Sequence, residues 1–177
     1  MIAESQPYGE IHVREADLQD ENDLQLIVDL SNAYAMDPMG LGEPLSDVIR
    51  EKLPRALKEV QNAIIFFAFQ RFEDESGRFI QENPIGIATC FKGFSTFKAA
   101  PLINVHDIAV IPEARGKGAG AALLEAVKNK ARETGCCKVT LEVREDNAAR
   151  RLYERSGFEY GDPAMYFMTC DLSGGES

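Results

Sequence analysis

The chain has 177 residues, 45% of them apolar and 27% charged, a composition that packs as one globular domain and excludes wholesale disorder. Its longest uninterrupted apolar run, Ala63–Phe69, is far shorter than the about 20 residues of a membrane-spanning helix. The formal charge of −10 lies in the first half, where residues 1–90 carry 7 basic and 17 acidic side chains while residues 91–177 carry 12 of each, and such a chain lacks the Lys and Arg surplus on which nucleic-acid binding depends.

Residues 1–8 and 173–177 read as loose ends around a single-domain core over 9–172. The opening Met-Ile-Ala-Glu-Ser-Gln-Pro has neither the basic flank nor the apolar centre of a secretory signal. A strand is predicted at Glu10–Arg14 and a helix at about Leu18–Tyr34, with Leu18, Leu24, Ile27, Leu30 and Tyr34 on its apolar positions. After a turn-rich loop over 37–44, Ser46 caps a second helix to about Asn62, which Pro54 should kink or split. Strands follow at Ala63–Arg71 and Pro84–Phe91, joined by a long charged hairpin loop, Glu73–Asn83. A strand at Leu102–Ile111 leads through a glycine-rich turn into an amphipathic helix from about Gly118 to Glu133. A strand at Lys138–Val143, a helix at Asn147–Arg155 and a final hairpin of Phe158–Tyr160 with Met165–Leu172 complete the order β-α-α-β-β-β-α-β-α-β-β. That is a mixed sheet with helices on its faces.

Nine acids stand against Arg50 alone between residues 17 and 51. Acids near helix N-termini on a solvated face account for such a run; a collar that attracts a cationic ligand is the second reading. The four cysteines, Cys90, Cys136, Cys137 and Cys170, form no C-x-x-C pair, and adjacent Cys136 and Cys137 are poorly placed for a disulfide. A reducing, cytoplasmic compartment is expected, with no metal, no nucleic-acid partner and no membrane partner.

The chemistry concentrates in Arg115-Gly-Lys-Gly-Ala-Gly120, between a strand and a helix. Glycines at alternate positions let backbone N–H groups converge on an anion because no Cβ blocks the approach. The helix that follows aims its own N–H groups and positive dipole end at the same place, and Arg115 and Lys117 add counter-charge. A tight turn without a ligand is the bland alternative. A P-loop is excluded, since Gly118 follows Lys117 where Ser or Thr is required. Gly116-x-Gly118-x-x-Ala121 fits a dinucleotide fingerprint with Glu142 about twenty residues on, but Ile111-Pro-Glu-Ala-Arg separates strand from glycine and only 57 residues remain after Gly120.

Val110-Ile-Pro-Glu-Ala-Arg-Gly-Lys-Gly-Ala-Gly-Ala-Ala-Leu-Leu, then a strand, then Asn147-Ala-Ala-Arg-Arg-Leu-Tyr-Glu-Arg-Ser-Gly-Phe158 resembles the GNAT superfamily of acetyl-CoA-dependent N-acetyltransferases. Arg115, Gly118 and Gly120 meet the family pattern Q/R-x-x-G-x-G/A. The resemblance implies an α/β fold with a mixed, mostly antiparallel sheet of about seven strands, helices on both faces, and a parallel pair, Leu102–Ile111 and Lys138–Val143, that splays apart around the pantetheine arm. It implies that the backbone at Ile108, Ala109 and Val110 pairs with the pantetheine amides and that the amides of Gly116, Lys117, Gly118, Ala119, Gly120 and Ala121 hold the pyrophosphate. Asn147 would contact the cofactor arm and Tyr153 would face the sulfur. The plain readings are an N-cap for Asn147 and a packing aromatic beside Leu152 and Phe158 for Tyr153.

Acetyl transfer to an amine makes two demands. An alkyl ammonium with pKa near ~10.4 must lose its proton, and the departing thiolate gains from a proton donor such as tyrosine. The attack is direct, amine on thioester, with strand N–H groups holding the oxyanion. His106 stands where relatives carry a catalytic Glu or His. Asp107 falls on the opposite face of an ideal strand, although a bulge would bring both to the site, and Glu142 and water are further candidates for the base. The run Phe94-Ser-Thr-Phe97 with His106-Asp107 looks most like the diamine/polyamine branch, from which His106 in place of an acid and Arg144-Glu-Asp-Asn147 without Trp or Pro depart. The expectation is a cytoplasmic acetyltransferase using acetyl-CoA on a small cationic amine, with an amino-acid-like amine or a protein amine as other acceptors and a homodimer implied by the family. A non-catalytic acyl-CoA-binding module of the same fold is the alternative.

Overall fold

The computed structural model describes residues 9–74, 76–163 and 165–172, so the segments expected as loose ends lie outside the described residues. The elements are β1 (Glu10–Glu15), α1 (Glu21–Ala35), α2 (Asp47–Glu59), β2 (Ala63–Glu73), β3 (Phe79–Ser95), β4 (Ala100–Val110), a 3-10 turn at Pro112–Ala114, α3 (Ala119–Glu133), β5 (Val139–Leu141) and α4 (Arg150–Arg155). The sheet has the order β1-β2-β3-β4-β5, antiparallel throughout except for the parallel pair β4 and β5. No described helix is long and apolar enough to cross a membrane.

Each face of the sheet carries its own core. On one, Ile64, Phe66, Ile85, Cys90, Ile103 and Val105 pack against Leu123 and Val127 of α3. On the other, Ile65, Phe67, Phe69 and Ile87 pack against Leu24, Ile27 and Leu30 of α1 and Leu57 of α2. The continuous apolar stretch of β2 is explained by this arrangement, since a strand covered on both faces has no polar side to alternate with.

Several sequence expectations need correction. The described sheet has five strands, not about seven: Phe158–Tyr160 and Met165–Leu172 form no strand. Tyr166 is 89% exposed and Phe167 77% exposed, so apolar side chains of both parities meet water and neither face of the segment finds a core. Strand β5 is three residues long rather than six because only Val139, Thr140 and Leu141 pair with β4, at Ile103, Asn104 and Val105. The long loop expected over 73–83 is mostly ladder. Its turn is tight because the Asp74 carboxylate accepts hydrogen bonds from the Ser76 and Arg78 N–H groups at 2.9 and 3.0 Å. Pro84 is accommodated at a bulge, where the register passes from Phe69↔Pro84 to Ala68↔Gly86 and skips Ile85. Helix α2 runs unbroken through Pro54, which has no N–H to donate to the carbonyl of Arg50, an exposed residue one turn earlier.

Local signals set the helix starts. Asp20 caps α1 by accepting from the Asn22 and Asp23 N–H groups, and Ser46 caps α2 through the Ile49 N–H. Within the acidic run, Glu21 pairs with Lys58, Asp47 with Arg50 and Asp37 with Arg115, and Asp29 accepts from Gln25. Most of those acids therefore have structural partners, and Asp37 is the member that reaches the site described below.

The tie between sheet and helix layer is Asp23, 6% exposed, whose two oxygens accept from Arg14 at 2.6 and 2.7 Å and from the Asp17 N–H at 2.8 Å. Arg14 in turn stands 5.2 Å from the ring centres of both Phe67 and Phe69. The Arg14 hydrogen bonds hold the Asp23 carboxyl below its ordinary range. Its stabilisation is present above the unfolded carboxyl value of ~3.9 and is lost as pH falls through the lower folded value. Asp23→Asn should cost about 2–3 kcal/mol at neutral pH and flatten the acid limb of the stability curve below about pH 4, as measured by urea unfolding across pH.

Candidate active site

The ladder between β4 and β5 ends at Val105↔Leu141, and beyond that point the chain opens. His106 to Val110 on one side and Leu141 to Arg144 on the other line a cavity of about 840 Å³ that Tyr34 and Asp37, the glycine turn, the start of α3, and α4 close off. The expected splay of a parallel pair is therefore present, and its volume suits an extended ligand.

A bulge in β4 sets the chemistry of the gap. Thr89 pairs with Asp107 and Cys90 with Val105, so His106 is an extra residue in the strand. Before it, Ile103 and Val105 face α3; after it, Ile108 and Val110 do. The change of parity puts His106 and Asp107, sequence neighbours that an ideal strand would send to opposite faces, on the same side, with His106 Nε2 4.0 Å from Asp107 Oδ2. His106 is exposed and packs edge-on against Phe91 at 5.6 Å; Asp107 is half-buried, and burial pushes its carboxyl above the ordinary range while the neighbouring histidine pulls the other way.

The glycine turn forms the second wall. Gly116 has φ 74° and Gly118 φ 96°, the left-handed region that disfavours a Cβ, and a Cβ on Gly116 would meet nothing within 4 Å. Gly118 opens α3 without a side-chain cap, and the first turn of α3 holds no acid, in contrast with α1 and α2. The unpaired N–H groups and dipole end of a 15-residue helix thus face an uncluttered wall, and this donor set fits a phosphate-bearing ligand. Gly120 has a second reason to be glycine: a Cβ there would lie 2.8 Å from Leu152 Cδ2, so the residue also lets α4 pack against α3.

The cations beside the turn are differently engaged than the sequence led one to expect. Arg115 donates from Nε to the Val110 carbonyl at 2.9 Å and from its terminal nitrogen to Asp37 at 2.5 Å, which ties the loop after α1 to the glycine turn and holds the Asp37 carboxyl low. Lys117 donates to the Glu113 carbonyl at 2.9 Å and is not among the cavity-lining residues. Arg115, Gly116, Gly118, Ala119, Gly120 and Ala121 all line it, as do Ile108, Ala109, Val110, Asn147, His106 and Tyr153.

Asn147 is not the N-cap of α4, which is Ala149 and carries no side-chain cap bond; its amide oxygen instead accepts from the Ala149 N–H at 2.8 Å in the turn before the helix. Tyr153, 7% exposed, packs edge-on against Phe158 at 6.3 Å and lines the cavity; burial pushes its phenol above the ordinary tyrosine range. Glu142 also lines the cavity and accepts from the Asn104 amide at 3.2 Å. Sequence reasoning missed Tyr34, Asp37 and the Arg144–Asp146 pair, joined at 2.7 Å. Tyr34 sits at a helical apolar position, and nothing in a periodic pattern distinguishes a ring that ends in a cavity from one that ends in a core.

Residues 44–158, more than half of the chain, match the acetyltransferase (GNAT) family. An uncharacterized N-acetyltransferase of Bacillus subtilis, YhfO, is 34% identical over 120 residues, 66% of this chain and 80% of its own length. A second, MJ1207 of Methanocaldococcus jannaschii, is 32% identical over 99 residues, 53% of this chain and 44% of its own length. Among solved structures, a probable acetyltransferase superposes with TM-score 0.69 at 24% identity over 93% of this chain and 99% of its own. The aminoglycoside acetyltransferase meta-AAC0020 from an uncultured soil metagenomic sample, in complex with sisomicin, does so with TM-score 0.69 at 17% identity over 90% and 95%. The glycine turn, the split parallel pair and these likenesses converge: the chain belongs to the GNAT family and is an acetyl-CoA-dependent acyltransferase.

Proposed function

We propose that the protein transfers the acetyl group of acetyl-CoA to a primary amine on a small cationic molecule, by direct attack within a ternary complex. The observation that carries this reading is the bulge at His106, which turns two proton-accepting groups into the gap that Tyr153 lines. In this reading the N–H groups from Gly116 to Ala121 hold the pyrophosphate, with Arg115 and Lys117 beside them. The β4 backbone at Ile108, Ala109 and Val110 and the side chain of Asn147 hold the pantetheine arm. His106 passes the ammonium proton to solvent, Asp107 accepts the second nitrogen proton, and Tyr153 protonates the departing sulfur. The reading treats the chain as a single acyltransferase domain with its core over 9–172, working in the cytoplasm as a homodimer; its cysteines are free thiols, which suits a reducing compartment.

The cationic preference is supported by the cavity's charges. Arg115 pairs with Asp37 and Arg144 with Asp146, and of the other charged side chains lining the cavity Asp107 and Glu142 are carboxylates against the single cation Arg155, so the lining is acidic by one charge. Polyamines are one acceptor class with this charge, and the sisomicin complex of the fold neighbour is another amine-rich case. Thiol release from acetyl-CoA should be measured against a panel of cationic, neutral and anionic amines at rising ionic strength. Cationic acceptors should give the highest kcat/KM, falling as salt passes about 0.1 M, where the Debye length is about 10 Å. Preference for an anionic acceptor would overturn the substrate class; acetyl-CoA binding without thiol release against any amine would make the chain a non-catalytic acyl-CoA-binding module.

Two substitutions test the assigned roles. Gly116→Ala places a methyl in open space at left-handed φ, so it should cost only about 1–2 kcal/mol of stability while weakening acetyl-CoA binding by about tenfold or more in calorimetry. Tyr153→Phe keeps the ring against Phe158 and removes only the proton donor. It should lower kcat and kcat/KM alike by about 10², with acetyl-CoA affinity unchanged, in steady-state kinetics under chemistry-limited conditions.

A further inference from the structure

The polar side chains of β4 and β5 gather on one face of the sheet. Ile103, Val105, Val139 and Leu141 pack into the core beneath α3, so the alternate residues Asn104, Thr140 and Glu142 point the other way. Among the described residues, the core beneath α1 and α2 takes none from β5 and only Ala109 from β4, so this end of that face lacks an apolar cover. Phe91 pairs with Asn104 in the ladder and meets the His106 ring at 5.6 Å, which puts His106 on the same face. The Asn104 amide nitrogen donates at 3.2 Å to Thr140 Oγ1 and to both oxygens of Glu142. His106 and Glu142 are each the first residue past the last pair, Val105↔Leu141, one on either side of the opening.

We propose that Glu142 anchors a second positive charge on the acceptor, and that Asn104 is the positioning residue that holds this carboxylate at the opening between β4 and β5. The inference rests on the functional reading above and narrows its acceptor to a primary alkyl amine that carries a further ammonium along its chain. The reacting amine lies towards His106 and Asp107, and the second ammonium meets Glu142, which binds rather than deprotonates. The Asn104 amide is uncharged, so it orients the carboxylate without neutralising it. Asp37 and Asp146, by contrast, are paired with Arg115 and Arg144. The amide has two protons for three acceptors, and a carboxylate offers about four lone-pair sites, so most of the acceptor capacity of exposed Glu142 stays available to a cation. A side chain fixed before binding also loses less rotamer freedom when the ligand arrives. The half-buried Phe91 ring beside His106 adds apolar surface for the alkyl chain.

The test compares α,ω-diaminobutane with butylamine on the full chain, two acceptors that share a reacting end and differ in the second charge. Glu142→Gln alters an exposed side chain and should lower the diamine-to-monoamine ratio of kcat/KM about tenfold, the scale of one charge-assisted hydrogen bond. The loss should sit in the diamine KM, with its kcat within about twofold of wild type. Asn104→Leu removes the donor at similar volume and should lower the same ratio, again through KM; Asn104→Ala replaces it if the leucine variant does not fold. The Asn104→Leu, Glu142→Gln double variant should match Glu142→Gln alone, because Asn104 acts through that carboxylate. Calorimetry of α,ω-diaminobutane with the protein saturated with coenzyme A reads the anchor without turnover and should show the same loss of affinity. An unchanged ratio in Glu142→Gln, a fall in kcat shared by both amines, no turnover of the diamine, or multiplicative losses in the double variant would each overturn the anchor in an enzyme that still acetylates amines. Failure of every amine to release thiol would instead overturn the functional reading, and the anchor with it.

Discussion

The extra residue that β4 carries at His106 governs both the shape and the chemistry of this molecule. A bulge breaks the ladder locally and bends the strand, and here the pairing with β5 stops one residue before it. What would be a continuous parallel edge becomes two diverging strand ends with backbone groups facing a cavity instead of each other. The same insertion reverses which parity of β4 faces α3, so His106 and Asp107 arrive side by side on the face that α1 covers. One residue of register thus makes the ligand space and furnishes it with proton-accepting groups.

Around that opening, charge is arranged in compensated pairs with a few members left over. The acidic first half does not form a loose collar: Asp20 caps a helix, Asp23 is locked to Arg14, Glu21 to Lys58, and Asp37 to Arg115. The Arg115–Asp37 contact joins the loop after α1 to the turn before α3, two segments 78 residues apart in the chain, so one ion pair spans both sides of the cavity. The wall formed by the glycine turn by contrast relies on backbone. Its positive potential comes from the start of α3 and from glycines that hold left-handed φ, neither of which a counter-ion on the protein cancels at the first turn.

Packing and function overlap at several positions. Gly120 serves the close approach of Leu152 as well as the wall it lines; Tyr153 packs edge-on against Phe158 and lines the cavity; Asn147 accepts from the Ala149 N–H in the turn before α4 and borders the same space. Two readings offered for one residue need not exclude each other, because a short helix such as α4 has few side chains and each must both anchor it and present a surface.

The sequence by itself determined the parts whose signal is local. The capping residue Ser46, the apolar run of β2, the periodicity of α3 and the spacing from Arg115 to Gly120 each act through neighbours within a few residues, and the elements and the turn stand where those signals put them. Tertiary structure alone decided the rest. Whether β4 bulged depended on its register against β3, which no property of Asn104–Val110 taken alone specifies. The apolar residues over 165–172 had a strand-forming composition but no partner edge or core among the described residues, and a strand without either gains nothing from forming. Tyr34 was legible only as an apolar helical position, because the cavity it lines is built by strands and loops distant in the chain. Local sequence fixes which residues can carry chemistry; long-range pairing fixes which of them meet.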